Sequence, residues 1–113
     1  MAPALPDQQS ASEERRGESE AGTVRVYVEE NGTTTELESA RVVKEDVTNN
    51  DFSTGYSGRG PLNLAKSLLS DLYDEDTAQE YGMALRDNLT RELDRDFEIT
   101  AGEIDEVFQD ISS

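Results

Sequence analysis

The chain has 113 residues, and its 26 acidic and 10 basic side chains give a formal net charge of −16. This length accommodates one domain with a single hydrophobic core. The chain contains no cysteine and no histidine, which excludes disulfides, thiolate nucleophiles, imidazole bases and zinc sites that use those ligands.

Arginine predominates among the basic residues, with eight arginines and two lysines, Lys44 and Lys66. A net charge so far from zero strains the compact state through self-repulsion, and at molar salt the Debye length falls to about 3 Å, which screens that repulsion. We therefore expect a halophilic protein whose acidity is an adaptation to concentrated salt. An ordinary acidic mesophilic protein and an acidic mimic of nucleic acid remain open alternatives.

Residues 1–22 are mostly Pro, Gln, Ser, Ala, Glu, Arg and Gly, with only Met1 and Leu5 as large apolar residues. So few apolar groups do not offset the entropy that is lost on ordering. We predict a disordered acidic tail over 1–22 and a single folded domain over 23–113. The chain has no basic segment followed by an apolar run at its start and no stretch of 18 apolar residues, so we expect a cytoplasmic protein without membrane contact.

Residues 23–30 alternate valine with polar or larger side chains, which is the pattern of a half-buried strand. Asn31-Gly32 follows and favours a two-residue type I′ hairpin turn, because both central positions of that turn need a positive φ. Such a turn places Val28 opposite Thr35, so that the apolar positions of both strands share one face. Residues 40–47 are predicted to form another short strand or extended segment.

Three helices are predicted in the second half of the chain. The first begins at Gly60-Pro61, because proline is favoured at the first helical position, and its wide leucine face makes it the core helix. The second spans about 77–93, where Gly82 predicts a close helix crossing. Thr100 and Glu103 form a capping box for the third helix. The predicted fold class is α+β, with a small antiparallel β-hairpin or sheet followed by three helices packed on one face.

The most concentrated local signal is a glycine-rich loop over 55–61, GYSGRGP, which leads directly into the first predicted helix. Such a loop exposes backbone amides at the positive end of a helix dipole, which suits anions. Its G-x-x-G-x-G spacing matches neither the dinucleotide fingerprint nor a Walker loop. A structural interpretation, in which Gly58 and Gly60 supply positive φ and Pro61 starts the helix, is therefore favoured over ligand recognition. The candidate binding residues are Gly55, Tyr56, Ser57, Gly58, Arg59, Gly60 and Asn63, of which Tyr56, Ser57, Arg59 and Asn63 are expected to be exposed.

The loop and the helix after it resemble a family of small uncharacterised proteins, a domain of unknown function in archaea, bacteria and their viruses. That family is marked by a G-Y-x-G-x-G-P-x-x-L-A signature, and the likeness covers about 24–107, most specifically between Phe52 and Leu69. Ser53 and Thr54 stand where the family often carries a tryptophan. Together with the acidity, the resemblance implies a haloarchaeal or halovirus member. Because the family has no established activity, the resemblance supports the fold and implies no reaction.

Asp71, Asp74, Glu75 and Asp76 crowd the junction between the first two predicted helices. Paired carboxylates can hold Mg²⁺ or Ca²⁺ or perform acid–base chemistry. Their spacing does not follow an EF-hand loop, and so small a domain offers little cleft. We therefore predict no metal, no cofactor and no catalytic residue.

These observations predict a non-enzymatic accessory domain that binds an unknown protein partner. One alternative is an acidic nucleic-acid mimic that modulates a nucleic-acid-binding protein, and another is small-ligand or phosphate binding at the 55–61 loop. Direct nucleic-acid binding is disfavoured because the chain lacks a basic patch. The sequence does not indicate the oligomeric state.

Overall fold

The computed structural model describes residues 14–20, 23–30, 32–46, 51–55, 58–94 and 96–112. They form a four-stranded antiparallel sheet in the order β3-β2-β1-β4, with helices packed on one face. The elements are β1 (Glu14–Glu20), β2 (Thr23–Glu30), β3 (Thr33–Glu36), α1 (Arg41–Asp46), α2 (Arg59–Leu72), α3 (Glu75–Asn88), a 3₁₀ turn (Thr90–Glu92), β4 (Glu98–Thr100) and α4 (Ala101–Ser112). The predicted α+β class is confirmed.

Strand β1 lies in the middle of the sheet, between β2 and β4, although its residues belong to the segment predicted to be disordered. That prediction is wrong for residues 14–20. The strand forms backbone ladders with both neighbours and buries Arg15 and Gly17, so its order comes from pairing partners and not from its own apolar content. The rest of the predicted tail, 1–13 and 21–22, lies outside the described residues.

The β2–β3 hairpin has the predicted register. Val28 pairs with Thr35, and Glu30 pairs with Thr33, so that two residues close the turn. Gly32 has a φ of +78°, as a two-residue hairpin turn requires. Asn31, the other predicted turn residue, lies outside the described residues.

Helix α1 (Arg41–Asp46) lies within the segment 40–47 that was predicted to be extended, so this prediction is wrong for residues 41–46. Its first amides are capped by side chains that are distant in sequence. The N–H of Ala40 donates to Oγ of Ser67 at 2.9 Å, and the N–H of Val42 donates to Oε2 of Glu75 at 3.0 Å. These tertiary caps satisfy groups that a helix start leaves free, and they override the strand preference of two adjacent valines.

Helix α2 begins at Arg59, before the predicted start at Gly60-Pro61. The N–H of Leu62 donates to the carbonyl of Gly58 at 3.1 Å, so Pro61 lies in the first turn, where its missing N–H costs no helical hydrogen bond. The α2 residues between 61 and 69 are all buried, which confirms α2 as the core helix.

Helices α3 and α4 follow the predicted pattern with one change. Helix α3 ends at Asn88, and the rest of the helix predicted over 77–93 becomes the 3₁₀ turn. The capping box is confirmed, because the N–H of Glu103 donates to Oγ1 of Thr100 at 3.1 Å and the N–H of Thr100 donates to Oε1 of Glu103 at 3.3 Å. None of the described helices has the length and apolar character needed to cross a membrane.

The core lies between the inner face of the sheet and the helices. Its fully buried side chains come from the middle strands, α2, α3 and α4, and include Val26, Leu64, Leu68, Leu69, Leu72, Leu85, Ile104 and Phe108. The close crossing predicted at Gly82 is confirmed, since a Cβ at that position would lie 2.5 Å from Cγ of Lys66. The stem of Lys66 therefore fills the space that a larger residue on α3 would need.

Candidate functional site

The glycines of the predicted 55–61 loop have different backbone roles from those expected. Gly55 has the left-handed φ of +85°, and its N–H donates to the carbonyl of Thr90 at 3.2 Å. Gly58 is extended, with a φ of −146°, and Gly60 lies within α2. The interpretation that Gly58 and Gly60 supply positive φ is wrong, because Gly58 is extended, Gly60 is helical and the left-handed φ occurs at Gly55.

The side chains predicted for this loop do not all face solvent. Asn63 is buried, and its Nδ2 donates to the carbonyl of Asp51 at 3.1 Å, so the expectation that it is exposed is wrong. Arg59 is exposed in the first turn of α2. Tyr56 and Ser57 lie outside the described residues. Ligand recognition by this loop therefore remains a prediction.

The carboxylates at the α2–α3 junction hold helix ends in place. Asp74 caps α3, because its Oδ1 accepts the N–H of Thr77 at 2.7 Å, and hydrogen bonding by Thr77 lowers the pKa of Asp74. Glu75 accepts Oγ–H of Ser70 at 2.7 Å and the N–H of Val42 at 3.0 Å. The hydrogen bond from Ser70 is the largest cause of the lowered pKa of Glu75.

These acids form no metal centre in the described part of the chain, where no group of three or more Asp, Glu, His or Cys residues is placed to hold an ion. Asp71, the first acid of the predicted cluster, points instead to β1. Its Oδ2 accepts a hydrogen bond of 2.8 Å from the guanidinium of Arg15. The cluster therefore joins α1, α2, α3 and β1 to one another.

A groove of about 880 Å³ lies between the β2–β3 edge of the sheet and α2, and α1 lines one end of it. Apolar side chains contribute to its lining, namely those of Val24, Val28, Leu37 and Phe52. Charged side chains of both signs also line it, among them Arg25, Arg41, Lys44 and Glu38. Its volume is within the range of common ligand pockets, although its shape is that of an open groove.

Strand β3 borders this groove and is an edge of the sheet. All four of its residues are exposed. Thr35 pairs with Val28, and the N–H of Leu37 donates to the carbonyl of Val26 at 2.7 Å. Because alternate residues of an antiparallel strand face opposite sides in the ladder, the N–H and C=O groups of Thr34 and Glu36 point away from β2.

The groove was not predicted from the sequence. Its walls come from β2, β3, the segment 37–40, α1, residues 51–52, α2 and Glu75, which only the fold brings together. The prediction that 40–47 is extended also concealed α1. The sequence contained one signal for it, the predicted hairpin, whose second strand is short and polar.

In a comparison with protein families, the model of a family of unknown function, DUF6166, matches residues 15–110. Comparisons with curated proteins and with solved structures give no match. The matched range begins at Arg15 on β1 and extends almost to the end of α4, so it includes all four strands of the sheet.

Proposed function

Because the chain belongs to the DUF6166 family, whose function is unknown, we propose a role from its own geometry. It is a non-enzymatic accessory domain that binds another protein along β3 and the adjoining groove. The observation that carries this proposal is the edge strand itself, which exposes four consecutive residues beside a groove with apolar side chains in its lining. Exposed strand edges are templates for pairing with another chain.

The chemistry of the groove supports binding more than catalysis. Glu75 has both carboxylate oxygens engaged, one by Ser70 and the other by the amide of Val42. Asp71 is paired with Arg15. A general base or acid must be able to exchange a proton with a substrate, and these two acids are instead held as helix caps and ion-pair partners.

We place this domain in the cytoplasm of a cell that maintains concentrated salt. The net charge of −16 and the choice of arginine over lysine support that setting. The described acids that serve as caps or ion-pair partners lie on several different elements, for example Glu30, Asp71, Asp74, Glu75 and Glu103. Their structural use supports an accessory role over mimicry of nucleic acid, which needs carboxylates arranged along one surface.

Phosphate or small-anion binding at the start of α2 is a second candidate function. One observation favours it, since the N-cap residue of α2 is Gly58, which has no side chain to cap the helix, and Arg59 is exposed in the first turn. Titration with inorganic phosphate, followed by amide chemical shifts, tests this candidate. Shifts confined to 58–60 that disappear in Arg59→Ala support it, and unchanged shifts in the wild-type protein contradict it.

Site-specific photo-crosslinking in the native host tests the main proposal. A benzophenone amino acid is placed at Glu38, an exposed residue that lines the groove, and in a matched variant at Glu80, an exposed residue of α3. We expect one defined adduct with a second protein from position 38 and none from position 80. No adduct from position 38 in several growth states, or the same adducts from both positions, contradicts the proposal.

A further inference from the structure

We infer that the partner binds as an added strand, an extended basic segment that pairs with β3 and becomes the fifth strand of the sheet. This inference rests on the proposed function and names the kind of partner that the groove takes. The order β3-β2-β1-β4 leaves one side of β3 without a neighbouring strand among the described residues.

The backbone of β3 is suited to this pairing. The groups that point away from β2 are the N–H and C=O of Thr34 and of Glu36, which together provide two donors and two acceptors at the spacing of an antiparallel or parallel ladder. Thr33, Thr34 and Thr35 are uncharged, so the strand lacks the lysines and bulges by which proteins protect their edges.

The opposite edge of the sheet is protected. Strand β4 has only three residues and is followed at once by α4. The outward N–H of Thr100 on β4 donates to Oε1 of Glu103 at 3.3 Å, so this edge donor is already used. In the described part of the sheet, the β3 edge therefore offers the longer row of outward-pointing backbone groups.

The surroundings of β3 determine the chemistry of the added segment. Side chains on one face of the new strand would enter the groove, where Leu37 and Phe52 favour apolar residues. The other face lies beside Glu36, which pairs with Arg25 at 3.8 Å, and Glu38 lines the groove next to it. Because the whole chain carries −16, an acidic segment is repelled and a basic one is attracted. In molar salt this attraction acts only between charges in direct contact, so the backbone hydrogen bonds then provide most of the affinity.

A labelled peptide tests the inference on the full chain. The probe is a seven-residue peptide that alternates valine with lysine, and its binding is followed by fluorescence anisotropy in about 0.15 M and about 2 M KCl, salt levels at which screening differs strongly. Thr34→Pro removes an N–H that points away from β2, and edge positions of this kind tolerate proline. The matched control Thr34→Val keeps that N–H.

At each salt concentration, we expect the wild-type protein and Thr34→Val to bind the peptide with the same affinity. Binding by Thr34→Pro should be weaker by about tenfold, the loss expected for one or two backbone hydrogen bonds. Equal binding by Thr34→Pro would show that charge alone attracts the peptide and would overturn the inference. Absence of binding by the wild-type protein would overturn it as well, while an adduct from position 38 would still support the proposed function.

Two further measurements keep the test decisive. If Thr34→Pro does not fold, as judged by circular dichroism, a peptide with N-methyl groups on alternate residues replaces it, and equal binding of that peptide to the wild-type protein overturns the inference. Sedimentation of the wild-type protein tests whether a second copy of the chain, instead of a different protein, pairs with β3. A dimer that Thr34→Val retains and Thr34→Pro loses would show that β3 pairs with itself and would also overturn the inference.

Discussion

The guanidinium of Arg15 donates a hydrogen bond of 2.8 Å to Oδ2 of Asp71, and this contact ties the middle strand of the sheet to the core helix. A second ion pair, at 3.3 Å, joins Arg15 to Glu30 at the end of β2. The side chain of Arg15 is 0% exposed, whereas those of Asp71 and Glu30 are 29% and 38% exposed. The two acids therefore keep part of their hydration while they balance a buried charge, which lowers the desolvation cost of the pair.

Removal of this buried cation should destabilise the fold. Arg15→Ala leaves a cavity and deprives two carboxylates of their partner, so we expect the free energy of unfolding to fall by about 3 kcal/mol. Chemical denaturation measures this change. Arg16→Ala is the matched control, because Arg16 is the next residue on β1 but pairs at the surface with Glu18, and its loss should cost less than about 1 kcal/mol. Equal losses for the two variants would contradict the role of Arg15.

Acid should weaken the contact between α1 and α3. The pKa of Glu75 is lowered in the folded protein, so its contribution to stability is complete above its ordinary value of 4.5 and is lost as the pH falls through the lower folded value. Glu75→Gln should therefore reduce the free energy of unfolding at pH 7, by about 1 kcal/mol, and reduce its dependence on pH below that range.

Glu80→Gln provides the control for this experiment, since Glu80 is exposed on the same helix. Denaturation curves of the three proteins between about pH 3 and pH 7 cover the range in which carboxylates titrate. We expect the Glu75→Gln curve to approach that of the wild-type protein as the pH falls. A difference that stays constant across the range would show that the Glu75 carboxylate does not carry the linkage.

The crossing of α2 and α3 depends on the absence of a side chain at Gly82. Gly82→Ala would place its Cβ 2.5 Å from Cγ of Lys66, and this stem is held in a buried position. Overpacking costs about 1–3 kcal/mol, and the better helix propensity of alanine offsets up to about 1 kcal/mol of that. We therefore expect a net loss of stability of about 1 kcal/mol.

A double-mutant cycle with Lys66→Ala identifies the cause. Removal of the stem relieves the clash, so Gly82→Ala should be neutral or stabilising when Lys66 is already alanine. If the two changes are additive, the cost of Gly82→Ala does not come from the Lys66 stem.

Features of the fold that depend on neighbours in sequence were predictable. The Thr100–Glu103 capping box needs only four consecutive residues, and the register of the hairpin follows from a two-residue turn between alternating strands. The core face of α2 was visible as a repeat of leucines. In each case one short segment contains both the pattern and its physical cause.

Features that depend on distant partners were not predictable from one sequence. Strand β1 has polar residues and one buried arginine, and its order comes from β2, β4 and Asp71. Helix α1 is capped from α2 and α3, by Ser67 and Glu75. The groove is lined by α1 and by segments that only the fold brings beside β2 and β3, so it was not predictable from local patterns. The glycine loop attracted attention because its composition is unusual over seven consecutive residues.

Salt should stabilise the fold if the proposed halophilic setting is right. A chain with a net charge of −16 repels itself in dilute buffer, and molar KCl reduces the range of that repulsion to about 3 Å. The free energy of unfolding, measured by thermal or urea denaturation, should therefore increase between about 0.1 M and about 2 M KCl. A variant with Glu80→Gln and Glu106→Gln, two exposed positions on α3 and α4, should show a smaller increase because it starts with less repulsion. Equal stability of the wild-type protein at both salt concentrations would contradict the halophilic setting. If the free energy of unfolding increases as much in the variant as in the wild-type protein, KCl acts through the hydrophobic core and not through surface charge.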